Sequence, residues 1–365
     1  MRIKDVTAYL ETIAPTPYQE SYDNAGLITG DPAAEVTGIL VTLDCTEAVV
    51  QEAIEKRCNL IVAHHPIVFK GLKKLTGRTY VERTVIQAIR HEVGIYAIHT
   101  NLDSVRTGVN QKICEKIGLQ NTRILAPRKD TLTKLVTFAP KENTESVLNA
   151  LYEAGAGAIG NYKNCSFQLE GKGTFMPGEE ATPHIGRAHT LETVQETRVE
   201  VLIPSYLEEQ VLQTLRASHP YEEVAYYLTR LVNENQEVGA GMIGELPDPL
   251  EPIEFLKGLK NSMDLNVIRH TRPLDKKIKK VAVCGGSGSF LLPYALKAQA
   301  DIYISADFKY HEFFDADSRI MIADIGHYES EVFTKDLLME ILMKKFSTFA
   351  INFSDTVTNP IRYIA

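Results

Sequence analysis

Asn59-Leu60-Ile61-Val62-Ala63-His64-His65-Pro66 is the stretch whose reading decides the fold. Four apolar residues run without a polar break into two adjacent histidines and a proline. So short and continuous a run predicts a strand covered on both faces, as in a parallel sheet. Pro66 has no N–H to give to a ladder, so the histidines sit where the strand ends and the loop opens. Open α/β sheets bind ligands outside the carboxyl ends of their strands, and paired imidazoles at such an end suggest a metal.

The pattern recurs on either side. Gly38 to Asp44 reads as a strand, and Thr46 as the N-cap of the helix TEAVVQEAIEKRC, whose Val49, Val50, Ala53 and Ile54 share a face. β-α-β at this spacing makes the strands starting at 38 and 60 parallel neighbours. A helix from Thr79 to His91 leads to strand Val93–Ile98 and then to His99-Thr100-Asn101-Leu102-Asp103, which puts Asp103 at the same edge as the two histidines. Beyond residue 239 the alternation resumes, with strands at 281–284, 301–305 and 319–323 and a last helix from Gly326 to Lys345.

Residues 127–238 have another texture, strand–helix–strand twice over, which predicts a ferredoxin-like α+β domain. The expected fold class is therefore α/β. A discontinuous α/β/α core with one mostly parallel sheet (1–126 and 239–365) carries the inserted domain between its halves.

Composition narrows the function. A net charge of -8 argues against a general nucleic-acid binder, which would concentrate Lys and Arg. The N-terminal segment is amphipathic, with Asp5 and Glu11 among its apolar positions, unlike a signal peptide, and no segment is apolar enough to span a membrane. Cys45, Cys58, Cys114, Cys165 and Cys284 are scattered, odd in number and never C-x-x-C. That pattern predicts reduced thiols in a cytoplasmic protein.

His327 and Glu331 are spaced i, i+4 in the first turn of the last helix, on one face, just after a strand end and a glycine. Together His64, His65, Asp103, His327 and Glu331 form the type of set that holds two metal ions: three imidazoles and two carboxylates at one sheet edge. Glu331, with the longer arm, suits the bridge. Nitrogen and oxygen donors without thiolate favour zinc, manganese, iron, nickel or cobalt over calcium and disfavour copper(I). His99 and Asp324 lie beside the ligands and read equally as orienters from behind and as ordinary polar residues at strand ends. The turn Gly285-Gly286-Ser287-Gly288-Ser289 lacks the P-loop lysine and reads as a tight β-α turn more than a phosphate cradle, while Lys309 and His311 in DFKYHE are open to an anionic substrate or to plain solvent.

SYDNAGLITGD (21–31), IVAHHP (61–66), HTNLD (99–103), DFKYH (307–311) and GHYESE (326–331) resemble the ordered motifs of the GTP cyclohydrolase 1 type 2 homologue family, also called the NGG-interacting-factor-like family. The middle segment, with His219-Pro220-Tyr221-Glu222-Glu223, is similar to the PII-like (CutA-like) insert of its longer members. The resemblance implies a dinuclear metal site on His64, His65, Asp103, His327 and Glu331, with Glu331 bridging, and a toroidal homohexamer capped by the inserts. It departs from the family pattern at Tyr22, where members often carry Trp, and at Val105-Arg106-Thr107. The expected function is a metal-dependent hydrolase using a metal-bound hydroxide on a nucleotide or other phosphorylated or heterocyclic small molecule. A metal-binding regulatory or scaffold protein with a ligand-sensing insert is the alternative.

Overall fold

The 59–66 run forms a strand, Leu60–Ala63, whose four residues are fully buried. In the computed structural model, which describes residues 1–364, it is the third of a series. Strands β1 (Gly26–Thr29), β2 (Ile39–Thr42), β3 (Leu60–Ala63), β4 (Gly94–Ala97) and β5 (Gln120–Arg128) are followed by β6 (Leu132–Pro140), β7 (Ser166–Phe175), β8 (Glu192–Pro204) and β9 (Tyr226–Leu231). Then come β10 (Asn235–Leu250), β11 (Arg269–His270), β12 (Ile278–Ser287), β13 (Ile302–Ala306), β14 (Met321–Asp324) and β15 (Ile351–Phe353). The chain divides into two units, Met1–Ala126 with Val238 onward, and Pro127–Glu237.

The first unit holds two sheets, which corrects the expectation of one. In the order β1-β4-β3-β2-β15, the last four strands are parallel and β1 is antiparallel. In the order β11-β14-β13-β12-β10-β5, the strands β12, β13 and β14 are parallel, with β11 and β10 antiparallel beside them. The halves exchange edge strands: β15 from the second half joins the first sheet, and β5 from the first half joins the second. The two sheets also share a core. Val41, Leu60, Val62 and Tyr96 from the first sheet join Val281, Ile304 and Met321 from the second in one buried cluster.

The opposite faces bury separately: Leu40, Ile61 and Ile95 under the helices Glu47–Glu55 and Tyr80–Arg90, and Ala282, Tyr303 and Ile322 beside the helix Leu292–Lys297. Burial on both faces is the reason these strands read as unbroken apolar runs. At about 2 kcal/mol for each buried aliphatic side chain, this two-sided packing dominates the stability of the unit. Thr46 and Thr79 cap the two helices, accepting from the Val49 and Glu82 amides.

The chain returns late to complete the first sheet. β15 pairs with β2, and the segment after it is tied down by Glu52, whose carboxylate accepts from the Ser354 and Thr356 hydroxyls and the Asp355 amide. Farther along, the Thr358 hydroxyl donates to Asp44.

The second unit is a four-stranded antiparallel sheet, β7-β8-β6-β9, with helices Thr144–Glu153 and Glu208–Ser218. Its β-α-β-β-α-β chain order is the ferredoxin-like one. Leu135, Leu151, Val199, Val211 and Leu215 fill its core. Among the described residues no helix is long and apolar enough to cross a membrane, and all five cysteines are free, four of them buried.

Candidate metal centre

The five singled-out residues come from strand ends of both sheets, not one, and they meet. His64 and His65 follow β3, and Asp103 lies in the short helix Thr100–Ser104 after β4. His327 and Glu331 bound the one-turn helix after β14, entered through Gly326 at φ +91°, a conformation that favours glycine.

His64 is fully buried, and its Nδ1–H donates to the Ile98 carbonyl at 2.8 Å, so the lone pair is on Nε2. That atom lies 3.6 Å from Asp103 Oδ1 and 4.0 Å from Glu331 Oε1. Both His64 Nε2 and Asp103 Oδ1 are closed off from solvent and have no hydrogen-bond partner. Burial pushes the His64 pKa down to about 3, which keeps the ring neutral. Burial and the Glu331 charge push Asp103 well up. Each buried unpaired acceptor costs about 1–3 kcal/mol, so two facing each other are expensive unless a cation lies between them. The residues fit a metal.

Around Glu331 the balance is reversed. His65 Nε2 lies 2.9 Å and His327 Nε2 3.1 Å from its Oε2. Behind them, His65 Nδ1 reaches Asp44 Oδ1 at 2.7 Å and His327 Nδ1 reaches Asp307 Oδ2 at 2.6 Å. Burial opposes the charged imidazolium, but a carboxylate on each side overcomes it, holding His65 up at about 10 and His327 at about 9. Burial likewise opposes the Glu331 carboxylate, yet the hydrogen bonds from His327 and His65 keep it well below the usual range. Two protons thus clamp one oxygen of Glu331, and a cation binding to the same nitrogens would have to displace them. Two donor trios emerge, His64–Asp103–Glu331 and His65–His327–Glu331, with Glu331 in both.

The supporting residues differ in part from expectation. His99 packs edge to face against both His64 and His65 with ring centroids 5.2 Å apart, forms a further donor group with them, and has its own Nδ1 held by Asp23 Oδ1 at 2.8 Å. Among the described residues Asp324 hydrogen-bonds to no imidazole. It takes Arg269 and the Phe308 and Gly326 amides, fixing the loop that carries the helix 327–331. The orienting carboxylates are Asp44, Asp307 and Asp23, of which Asp44 was signalled only by its place at the end of a strand.

The glycine-rich turn is committed internally. The Gly285 amide donates to Asn110 Oδ1 at 3.0 Å and the Gly286 amide to Ser330 Oγ at 2.9 Å. Gly286 sits at φ +61°, and a Cβ there would lie 2.4 Å from Glu331 Oε1, so the bare backbone makes room for the carboxylate. Cys45 and Cys284 are near, but burial and the adjacent carboxylates push both thiols up to about 12, leaving a nitrogen–oxygen donor set.

The group opens onto a cavity of about 570 Å³ whose lining includes Tyr22, Phe69, Tyr80 and Phe290. Among the described residues no Lys or Arg lines it, and neither Lys309 nor His311 does. The Tyr22 and Phe69 rings stack at 6.3 Å, and Phe69 meets His99 edge to face at 5.8 Å.

The sequence model of the Duf34/NIF3 (NGG1p interacting factor 3) family matches residues 1–360. A Bacillus subtilis (strain 168) relative named GTP cyclohydrolase 1 type 2 homolog is 36% identical over 366 residues, covering 99% of this chain and 98% of its own. One of the same name from Staphylococcus aureus (strain MSSA476) is 35% identical over 369 residues, covering 100% of both chains. The crystal structure of a Bacillus cereus protein related to NIF3 superposes with a TM-score of 0.87 at 36% identity, covering 100% of this chain and 99% of that one.

Proposed function

The chain belongs to the Duf34/NIF3 family, and from that premise we propose that it is a dinuclear metal protein acting as a hydrolase on a nucleotide or another phosphorylated or heterocyclic small molecule. The observation that carries this is the shared position of Glu331. Its Oε1 faces His64, paired with Asp103, and its Oε2 faces His65 and His327. In this reading His64 and Asp103 would hold one divalent cation and His65 and His327 the other, with Glu331 available to both. Zinc, manganese, iron, nickel and cobalt suit such donors. When bound, a pair of such ions supplies Lewis-acid polarisation and draws the pKa of coordinated water toward neutrality.

The chain's own residues do the rest. Asp44 and Asp307 fix the rings of His65 and His327, the His64–Ile98 hydrogen bond selects the Nδ1–H tautomer, and Gly286 leaves space for Glu331. With no Lys or Arg in the lining, the negative charge of a phosphate would fall to the cations, while Tyr22 and Phe69 present ring faces to a planar heterocycle.

The insert is read as PII-like and the assembly as a toroidal homohexamer in the cytoplasm. These readings rest on the family resemblance and on the free thiols.

The test is elemental analysis of the purified protein, with turnover of nucleotides and phosphodiesters by the metal-loaded protein and its Glu331→Ala variant. Metal in the wild type and turnover lost in the variant are expected. Turnover indifferent to the substitution overturns the hydrolase reading, and a wild type that binds no divalent metal overturns the metal site.

A further inference from the structure

The unit Pro127–Glu237 has a cavity of its own, of about 560 Å³, lined by Phe138 on β6, Phe175 at the end of β7, Glu196 on β8, Tyr221 and Tyr227. His184 and the paired Glu222 and Glu223 complete the wall. The rings are set at angles to one another. Phe138 meets Tyr227 at 83° with centroids 6.0 Å apart, and Tyr221 meets Phe175 at 5.9 Å and His184 at 6.3 Å. His219 does not serve as a ligand here. Its Nε2–H donates to the Phe138 carbonyl at 2.9 Å and its Nδ1 accepts from the Tyr221 amide at 3.1 Å, so it locks Tyr221 in place. Gly173 has no side chain because Glu196 folds over it, with Oε2 only 1.9 Å from where a Cβ would stand.

The chemistry of this wall is one-sided. Among the described residues no Lys or Arg lines it. Arg198 has its guanidinium carbon 6.0 Å from the Phe138 ring but pairs with Glu200, and neither lines the cavity. Glu222 takes the Thr182 amide, while Glu196 and Glu223 have no basic partner among the described residues. Residues 127–237 as a whole carry 16 Asp and Glu against 10 Lys and Arg. An anionic ligand would meet carboxylates there and no counter-charge. A cation with an apolar skin would meet ring faces and carboxylates together, the combination that recognises alkylated ammonium groups.

We propose that this cavity is a binding site for a small organic cation of the alkylated-ammonium class, held by the faces of Phe138, Tyr221 and Tyr227 and by the Glu196 charge. The site is separate from the metal centre and does not depend on the hydrolase reading.

Calorimetric titration of the full-length protein tests it, with choline as the probe, its uncharged isostere 3,3-dimethylbutan-1-ol beside it, and inorganic phosphate as the anion. Choline is expected to bind in saturable fashion while the isostere and phosphate do not. Tyr227→Ala should weaken choline by about tenfold, Tyr227→Phe should restore it, and Glu196→Gln should weaken it comparably. Equal binding of the isostere would reduce the site to an apolar hole and overturn the proposal. So would tighter binding of phosphate, the absence of choline binding, or choline binding indifferent to both Tyr227→Ala and Glu196→Gln. Unchanged thermal unfolding of the variants shows that they fold.

Discussion

His64 Nε2 and Asp103 Oδ1 face each other at 3.6 Å, both buried acceptors and neither with a donor. The pair is destabilising as long as no positive charge joins it, and that makes it a sensitive point for mutation.

Asp103→Asn should therefore separate stability from binding. The amide keeps the shape, removes a carboxylate that burial disfavours and offers N–H to His64. Urea unfolding in the presence of chelator should show the variant more stable by about 1–2 kcal/mol, while elemental analysis shows metal content reduced by one ion per chain. A variant both less stable and fully loaded would contradict the assignment of Asp103.

A second expectation concerns protons. His65 and His327 are held at about 10 and about 9, above the ordinary 6.5, so their ion pairs with Glu331 stabilise the metal-free protein fully below pH 6.5. That contribution is lost as the pH rises through about 9 and about 10. Urea midpoints of the chelated protein should fall over this range, and loading with zinc or manganese should flatten the slope. At pH 7.5, titration of the metal in buffers of different ionisation enthalpy should register proton release.

Gly286→Ala adds one methyl where Glu331 Oε1 would be 2.4 Å away, at a φ of +61°. The expected result is a cost of about 1–3 kcal/mol in stability together with weakened metal binding, read by unfolding and by a chelator competition. The neighbouring Gly285→Ala, whose nearest approach is 3.1 Å to a Val109 methyl, should be milder on both.

How much of this was legible in the sequence depends on range. The apolar run 60–63 carried its own strand, and the i, i+4 spacing of His327 and Glu331 carried their common face, because both signals are local. The division into two sheets was not legible, since nothing near Ile39 announces that its neighbour is Ile351. Asp44 and Asp324 show the same limit from opposite sides. Each lies at the carboxyl end of a buried strand, and only tertiary placement gives His65 to Asp44 and Arg269 to Asp324.

Glu52 provides a test away from the metal. Burial raises its pKa, but hydrogen bonds from Lys56, Ser354 and Thr356 outweigh that and hold it at about 2, below the ordinary 4.5. Its contribution is present above pH 4.5 and is lost as the pH falls toward 2. Glu52→Gln should lower stability at pH 7 by about 1–2 kcal/mol, and the difference from wild type should vanish in acid. An equal deficit at both ends of the range would assign the effect to packing.

The late return of the chain to β2 has a consequence for biosynthesis. Residues 39–103, with both adjacent histidines and Asp103, leave the ribosome about 250 residues before β15 and Thr358 exist to cover the edge of β2 and hold Asp44. His327 and Glu331 are also still to be made. The nascent protein therefore has half of a donor set on a sheet with one open side, and neither trio that includes Glu331 can form until residue 331 has been made. Before then the donors that the first sheet already brings together are His64, His65 and His99, a group that lacks both Glu331 and His327.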